Sequence, residues 1–141
     1  MVNATDVSDY RKTLVFVQQR NIRLAIRTTG RGYLGKSTGA GALALWTHNL
    51  KDRVILDYTS AAYAGKAFKL SAGIHASEAQ ETANRQGFVL IEGACPTVGI
   101  AGGCTQGGGA GPLASKFGLA ADQVIDCYSK RKARDSFAVS K

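Results

Sequence analysis

No stretch of this sequence stays apolar over the roughly 20 residues that a bilayer-spanning helix needs, so no helical membrane span is expected. The opening Met1-Val2-Asn3-Ala4-Thr5-Asp6 lacks a basic segment followed by an apolar one, so no secretory signal is read there and localisation stays open. Histidine and cysteine are scarce. His48 and His75 are not grouped with Cys95, Cys104 and Cys127, and the spacings match no zinc site, so no metal is expected. Three thiols cannot all pair within one chain, which leaves at least one free. Acidic residues are in deficit, with 10 Asp+Glu against 18 Lys+Arg and a net charge of +8. Half of that excess is terminal: Lys130, Arg131, Lys132, Arg134 and Lys141 against Asp135 alone leave +4. Basic tails bind nucleic acid or anionic surfaces in some proteins. This one lacks the interleaved aromatics of a stacking platform, so it reads as a solvated end with no nucleic-acid partner. Internal repeats and a dividing linker are also missing, and 141 residues suit one domain with its own core.

What is present is an alternation of short elements. Asp6 or Ser8 caps a helix that runs to about Arg20, with Val7, Leu14, Val15 and Val17 on its apolar face, and Asn21 ends it. Leu24-Ala25-Ile26 reads as a buried strand. Strands are further expected at Ala42–Thr47, Val54–Tyr58, Ala67–Ala72, Phe88–Ile91 and around Gln123–Tyr128. A helix is expected at Ser77–Gln86, closed by Gly87, and a short one around Leu113–Phe117. The pattern is mixed α/β or α+β in a single domain.

Thirteen of the 17 glycines fall in two segments, Gly30 to Gly41 and Gly93 to Gly111. Glycine is kept where backbone approaches something closely or takes positive φ, and the N–H groups freed in such loops form nests for phosphate. Leu34, Val98 and Ile100 interrupt the glycines and are expected to anchor the loops, as is Tyr33. The first segment, Gly30-Arg31-Gly32-Tyr33-Leu34-Gly35-Lys36-Ser37, matches both a P-loop and a dinucleotide fingerprint, and Val54-Ile55-Leu56-Asp57 resembles a Walker B strand. Both motifs need a helix directly after the loop to receive the phosphate. Here Thr38-Gly39-Ala40-Gly41 and then Ala42-Leu43-Ala44-Leu45-Trp46 read as turn and strand, which leaves a phosphate-binding loop between strands and makes a P-loop nucleotide-binding protein a remote alternative.

In context, Arg27-Thr28-Thr29-Gly30-Arg31-Gly32-Tyr33-Leu34-Gly35-Lys36-Ser37 resembles the FAD pyrophosphate loop of the vanillyl-alcohol-oxidase-type flavoproteins. Gly93-Ala94-Cys95-Pro96-Thr97-Val98-Gly99-Ile100-Ala101-Gly102-Gly103-Cys104-Thr105-Gln106-Gly107-Gly108-Gly109-Ala110-Gly111 resembles the partner flavin loop of their berberine-bridge-enzyme-like branch, and Ser115 to Asp122 continues the likeness. The similarity especially resembles fungal oxidoreductases of secondary metabolism. It implies a PCMH-type FAD-binding domain, incomplete at residues 1–128 and without the substrate-binding domain, followed by a basic tail at 129–141. It implies FAD as cofactor, held by residues 30–37 and by Cys95, Pro96, Thr97, Val98, Gly99, Gly102, Gly103, Gly107, Gly108 and Gly109.

The resemblance places a histidine bonded to the flavin 8α-methyl where Arg31 stands, and an acid or hydroxyl where Gly32 stands. A histidyl link is therefore absent, and the Arg31 guanidinium is a candidate partner for a flavin phosphate. Cys95 stands where bicovalent members attach to flavin C6; a small buried thiol is the competing reading. Ala110 replaces a histidine or aromatic of many relatives. Cys104 and Cys127 are assigned to packing, and His48 and His75 read as surface or satisfied histidines rather than bases.

The family's complete proteins carry a substrate domain that 141 residues cannot supply. The expectation is thus a fragment of an FAD-linked oxidase of secondary-metabolite biosynthesis, with alkaloids, ergot-type ones among them, as the candidate pathway, and with hydride transfer to flavin N5 and reoxidation by O2. No catalytic base is assigned, and a small-molecule substrate is expected only with the missing domain. A non-catalytic remnant and one half of a split enzyme that pairs with a complementing polypeptide are the alternatives. The likeness fades after Val124-Ile125, which suggests an out-of-frame or unspliced end.

Overall fold

The computed structural model describes residues 1–127 and the backbone of residues 138–140; the charged residues of the basic tail lie outside the described residues. Its elements are β1 (Val2–Asn3), α1 (Val7–Gln19), β2 (Leu24–Arg27), β3 (Leu43–Trp46), β4 (Arg53–Thr59), β5 (Ala64–Leu70), α2 (Ala76–Arg85), α3 (Ala114–Phe117), β6 (Val124–Cys127) and β7 (Ala138–Ser140). A π-helical turn at Ile100–Cys104 and a 3₁₀ turn at Ala120–Gln123 complete the set. The mixed α/β class expected from the sequence is the one observed.

Two sheets share the work. The first has strand order β1-β3-β2 with parallel pairs throughout, Leu24 opposite Leu43 and Val2 opposite Leu45. Parallel neighbours need a long crossover, ordinarily a helix. Here residues 28–42 make it as turns and loop, which confirms that no helix follows Ser37 and removes the P-loop reading. The second sheet is antiparallel in the order β4-β5-β7-β6.

The helices form for reasons visible in the chain. The Asp6 carboxylate accepts from the Ser8 and Asp9 N–H groups at the head of α1. At its tail Asn21 takes φ +50°, and the Ile22 N–H returns to the Val17 carbonyl at 2.9 Å. Thr13 and Val17 are buried, whereas Val15 of the expected apolar face is exposed, as is its neighbour Phe16. Helix α2 buries Ala76, Ala79 and Ala83, one helical stripe of small side chains that lets it lie close to β5. The main core joins Phe68 and Leu70 of β5, Ile74, Ala79, Ala83, Leu90 and Ile100.

Two expectations are corrected. Phe88–Ile91 pairs with no strand among the described residues; Gly87 at φ +78° and the Phe88 N–H bonded to the Ala83 carbonyl turn the chain away, and only Leu90 and Ile91 are buried. The strand expected at Ala67–Ala72 begins at Ala64 and stops at Leu70, because the hairpin through Ser60 and Tyr63 fixes its register against β4.

Gly73 is required by packing. A Cβ there would stand 2.4 Å from the carbonyl oxygens of Thr47 and His48, which are backbone and cannot turn aside. Gly73→Ala is expected to cost about 2–3 kcal/mol in urea unfolding, whereas Gly103→Ala, which meets nothing within 4 Å, stays within about 0.5 kcal/mol of wild type.

Candidate functional site

The two glycine-rich segments do come together, at one edge of the molecule. Loop 1, residues 28–42, leaves the C-terminal end of β2 and re-enters at β3. Loop 2, residues 93–111, is bound to the N-terminus of α2. The Ala76 N–H donates to the Val98 carbonyl and the Ser77 N–H to the Pro96 carbonyl, both at 2.9 Å, while the Ile100 N–H returns to Ile74 at 3.1 Å. These bonds use up free N–H groups of a helix start, so α2 holds loop 2 rather than an anion.

Thr28 joins the loops at their base. Its hydroxyl lies 3.0 Å from the Thr47 hydroxyl and donates to the Ala72 carbonyl at 3.1 Å. A Cβ on Gly99 would stand 2.9 Å from the Thr28 methyl, so Gly99 is needed for that approach. Further out, the Arg31 guanidinium donates to the Thr97 hydroxyl and closes the two loops on each other.

The expected anchors divide. Ile100 is buried in the core and Val98 is half-buried, so loop 2 is anchored as expected. Tyr33 and Leu34 are 105% and 82% exposed, which corrects their reading as anchors. The tip of loop 1 is held by turns, with the Gly35 N–H on Gly32 and the Thr38 N–H on Gly35, both at 3.2 Å, rather than by apolar burial. The N–H groups of Arg31, Gly32, Tyr33, Leu34, Lys36 and Ser37 meet no acceptor among the described residues. Gly30 and Gly35 take φ +77° and +69°, which only glycine adopts without strain.

A cavity of about 260 Å³ opens between loop 2 and the start of α2, walled by Gly93, Cys95, Val98, Gly103, Cys104 and Ala110 among others. Its walls carry no charged side chain. Of the expected cofactor residues, Cys95, Val98, Gly103, Gly107 and Gly109 line it, whereas residues 30–37, Pro96, Thr97, Gly99, Gly102 and Gly108 do not, and Arg31 meets loop 2 at Thr97. Gly109 also has a packing reason, since its Cβ would overlap that of Ala120 at 2.4 Å. Cys104, assigned only to packing, shares the cavity wall with Cys95.

Cys95 is exposed rather than a buried thiol. The Thr97 N–H, then the Thr97 hydroxyl 3.6 Å away, and the Arg31 guanidinium hold its pKa below the ordinary thiol range. The side chain of Cys127 lies outside the described residues.

Two charged or titratable groupings were not visible in the sequence. Glu92 closes the apolar run Phe88-Val89-Leu90-Ile91, and one of its carboxylate oxygens is buried without a hydrogen-bond partner among the described residues. Burial pushes its pKa up to about 7. His48 and His75, 27 positions apart, lie ring nitrogen to ring nitrogen at 3.2 Å, and the Trp46 indole stacks on His48 at 5.0 Å. His75 caps α2, its own N–H bonded to Glu78 at 2.8 Å, and Lys51 pairs with Glu78 at 2.7 Å. Burial and then the Lys51 charge hold the His75 imidazole below its usual pKa, with Glu78 opposing. The pair satisfies itself, as expected for structural histidines. Among the described residues no group of three or more His, Cys, Asp or Glu could hold a metal, and no helix is long and apolar enough to cross a membrane.

Two glycine-rich loops, one with unmet N–H groups beside basic Arg31 and Lys36, the other around an uncharged cavity, suit a dinucleotide with a phosphate at one end and a flat ring at the other. The family model described as FAD binding domain matches residues 1–128, and the chain belongs to that family. Its fold is that of the FAD-binding domain of vanillyl-alcohol-oxidase-type flavoproteins. The crystal structure of the VAO-type flavoprotein MtVAO615 from Myceliophthora thermophila superposes with a TM-score of 0.85 at 50% identity, covering 88% of this chain and 23% of that one. The FAD-linked oxidoreductase sor8 of Hypocrea jecorina is 56% identical over 128 residues, 91% of this chain and 22% of that protein. The FAD-linked oxidoreductase patO of Aspergillus clavatus is 55% identical over 125 residues, 89% of this chain and again 22% of the relative. The chain thus spans about a fifth of the length of these curated relatives. The residues present fit FAD, and FAD is the ligand its family defines.

Glu92 has a folded pKa raised from 4.5 to about 7, so the stability it contributes is full below pH 4.5 and is lost as the pH rises through 7. Glu92→Gln is expected to leave the thermal midpoint unchanged near pH 4.5 and to raise it near pH 8 by about 1 kcal/mol, ~3 °C, since solvent screens this half-buried carboxylate. His75 has the opposite sign. Its folded pKa is depressed, so its stability is present above 6.5 and is lost as the pH falls through the lowered value. His75→Asn should flatten that acid-side fall in a series of melting curves.

Proposed function

We propose that this chain supplies part of the FAD-binding portion of an FAD-linked oxidoreductase of the berberine-bridge-enzyme-like branch, acting on a secondary metabolite. The observation that carries this reading is the joining of loop 1 to the Cys95-Pro96-Thr97-Val98 turn across the Arg31–Thr97 contact, which puts a phosphate nest and an exposed cysteine on one continuous surface. Residues 30–37 would receive the pyrophosphate on backbone N–H groups, with Lys36 nearby. Pro96, Gly99, Gly102, Gly103, Gly107 and Gly108 would let the loop 2 backbone approach the ribityl chain and ring.

When bound, the flavin would take a hydride from the substrate at N5 and pass the electrons to O2. This chain's own contribution is to bind, orient and anchor. Cys95 is proposed as a single covalent anchor, its sulfur bonding to ring carbon C6. Such a bond would replace the C6–H bond: the thiolate sulfur would join C6, the C6 hydrogen would leave as a proton, and the two electrons would enter the flavin and pass to O2, giving H2O2. Arg31 stands where a histidyl link would otherwise form, so no second anchor is proposed. The relatives' names specify oxidoreductases without naming an alkaloid; an alkaloid substrate is one class to test, on a protein that includes a substrate domain.

A second reading is one half of a split enzyme completed by another polypeptide. Val89 at 63% exposed, with Phe117 and Leu119 also open to solvent, supports a covering partner.

Incubation of the 141-residue chain with FAD, followed by acid precipitation and visible absorption, tests the proposal. A yellow pellet that turns colourless in Cys95→Ala is the expected result. Yellow confined to the supernatant after binding would overturn the covalent anchor and keep the FAD site, and failure to bind FAD at all would make the chain a non-binding remnant.

A further inference from the structure

The turn that carries Cys95 is built for its sulfur. Pro96 at the second position pre-sets the backbone angle of a tight turn, closed by the Val98 N–H on the Cys95 carbonyl at 3.3 Å. From within that turn the N–H groups of Thr97 and Val98 favour the Cys95 thiolate. The Thr97 hydroxyl is the third group at the sulfur, 3.6 Å away. The same hydroxyl accepts from the Arg31 guanidinium, a residue 66 positions earlier on the other loop. Once its oxygen accepts from a cation, the Thr97 hydroxyl is polarised toward donating its own proton, and the acceptor in reach is the sulfur. Arg31, Thr97 and Cys95 are all exposed, so nothing apolar holds them in place and the hydrogen bonds themselves must do so.

We infer that Arg31 is a positioning residue for Cys95: through Thr97 it ties loop 1 to loop 2 and holds the Cys95 sulfur as an exposed nucleophile on the rim of the cavity. Arg31 thus takes up a role at the loop junction itself. A guanidinium suits it because one N–H bonds Thr97 while its charge and remaining donors stay available. Among the described residues Arg31 is the charged group that acts on this sulfur, and Cys104 shares the cavity wall without a comparable set of donors. The consequence for a flavin anchor rests on the function proposed above, but the arrangement itself does not.

The test is peptide-resolved alkylation of the 141-residue chain by iodoacetamide across a pH series, with Cys104 as internal reference, in wild type, Arg31→Met, Arg31→Lys and Thr97→Val. Arg31→Met is expected to slow Cys95 alkylation at neutral pH about three- to tenfold, moving its midpoint up by roughly half to one pH unit, and to leave Cys104 unchanged. Thr97→Val should do at least as much, and Arg31→Lys should recover part of the rate because the charge is kept and the fork is lost. Superimposable Cys95 profiles in wild type and Arg31→Met would overturn the inference. If Arg31→Met also alters the Cys104 rate, the fold has been disturbed, and Thr97→Val and Arg31→Lys decide by the same criterion. A thiol that shifts with Arg31 while FAD leaves no colour in the acid pellet sinks the flavin anchor and keeps the relay. Retained colour with an unshifted thiol does the reverse.

Discussion

Four segments of the chain meet at the Thr28 side chain, and the rest of the site depends on that meeting. Thr28 follows the last residue of β2, its hydroxyl reaches Thr47 beyond β3 and the Ala72 carbonyl beyond β5, and its methyl lies against Gly99 of loop 2. Its own carbonyl accepts from the Trp46 indole at 2.8 Å. A threonine can do this because it offers a donor, an acceptor and a methyl within one short branch. Gly73 and Gly99 complete the junction by leaving room for backbone where a side chain would collide. Loop 2 is thereby set against loop 1 before any ligand arrives.

The glycines therefore have two occupations, and only contacts distinguish them. Gly73, Gly99, Gly109 and Gly111 are packing glycines, each with a neighbour inside normal contact distance of the absent Cβ. Gly35, Gly41 and Gly103 face open space. Glycine density in the sequence marks both kinds alike, which is why the candidate cofactor residues were legible as two loops but not as individual roles. Local elements were legible for a related reason. The Asp6 cap, the Asn21 stop and the Gly87 stop are written within a few residues of the helices they bound, and the run after Ser37 shows directly that no helix starts there.

What was not legible is non-local. Strand β1 is two residues long and exists because β3 lies beside it, and β7 exists because β5 and β6 flank it. Phe88–Ile91 has the composition of a strand and lacks a partner among the described residues. The exposed tip at Tyr33 and Leu34 has the composition of an anchor and is buried against none of the described residues. The same holds for chemistry. The turn around Cys95 is readable from four consecutive residues, but its link to Arg31, the facing of His48 and His75, and the solitary buried oxygen of Glu92 are products of the fold.

The crossover from β2 to β3 contains no helix, and so only part of its hydrogen-bonding capacity is spent on its own turns. Six consecutive or near-consecutive N–H groups of loop 1 meet no acceptor among the described residues. In an ordinary parallel crossover those donors would be consumed when the chain folds. An anion received there, as proposed above, would make folding and loading parts of one equilibrium, and each increase in its concentration would raise the free energy needed to unravel the parallel sheet.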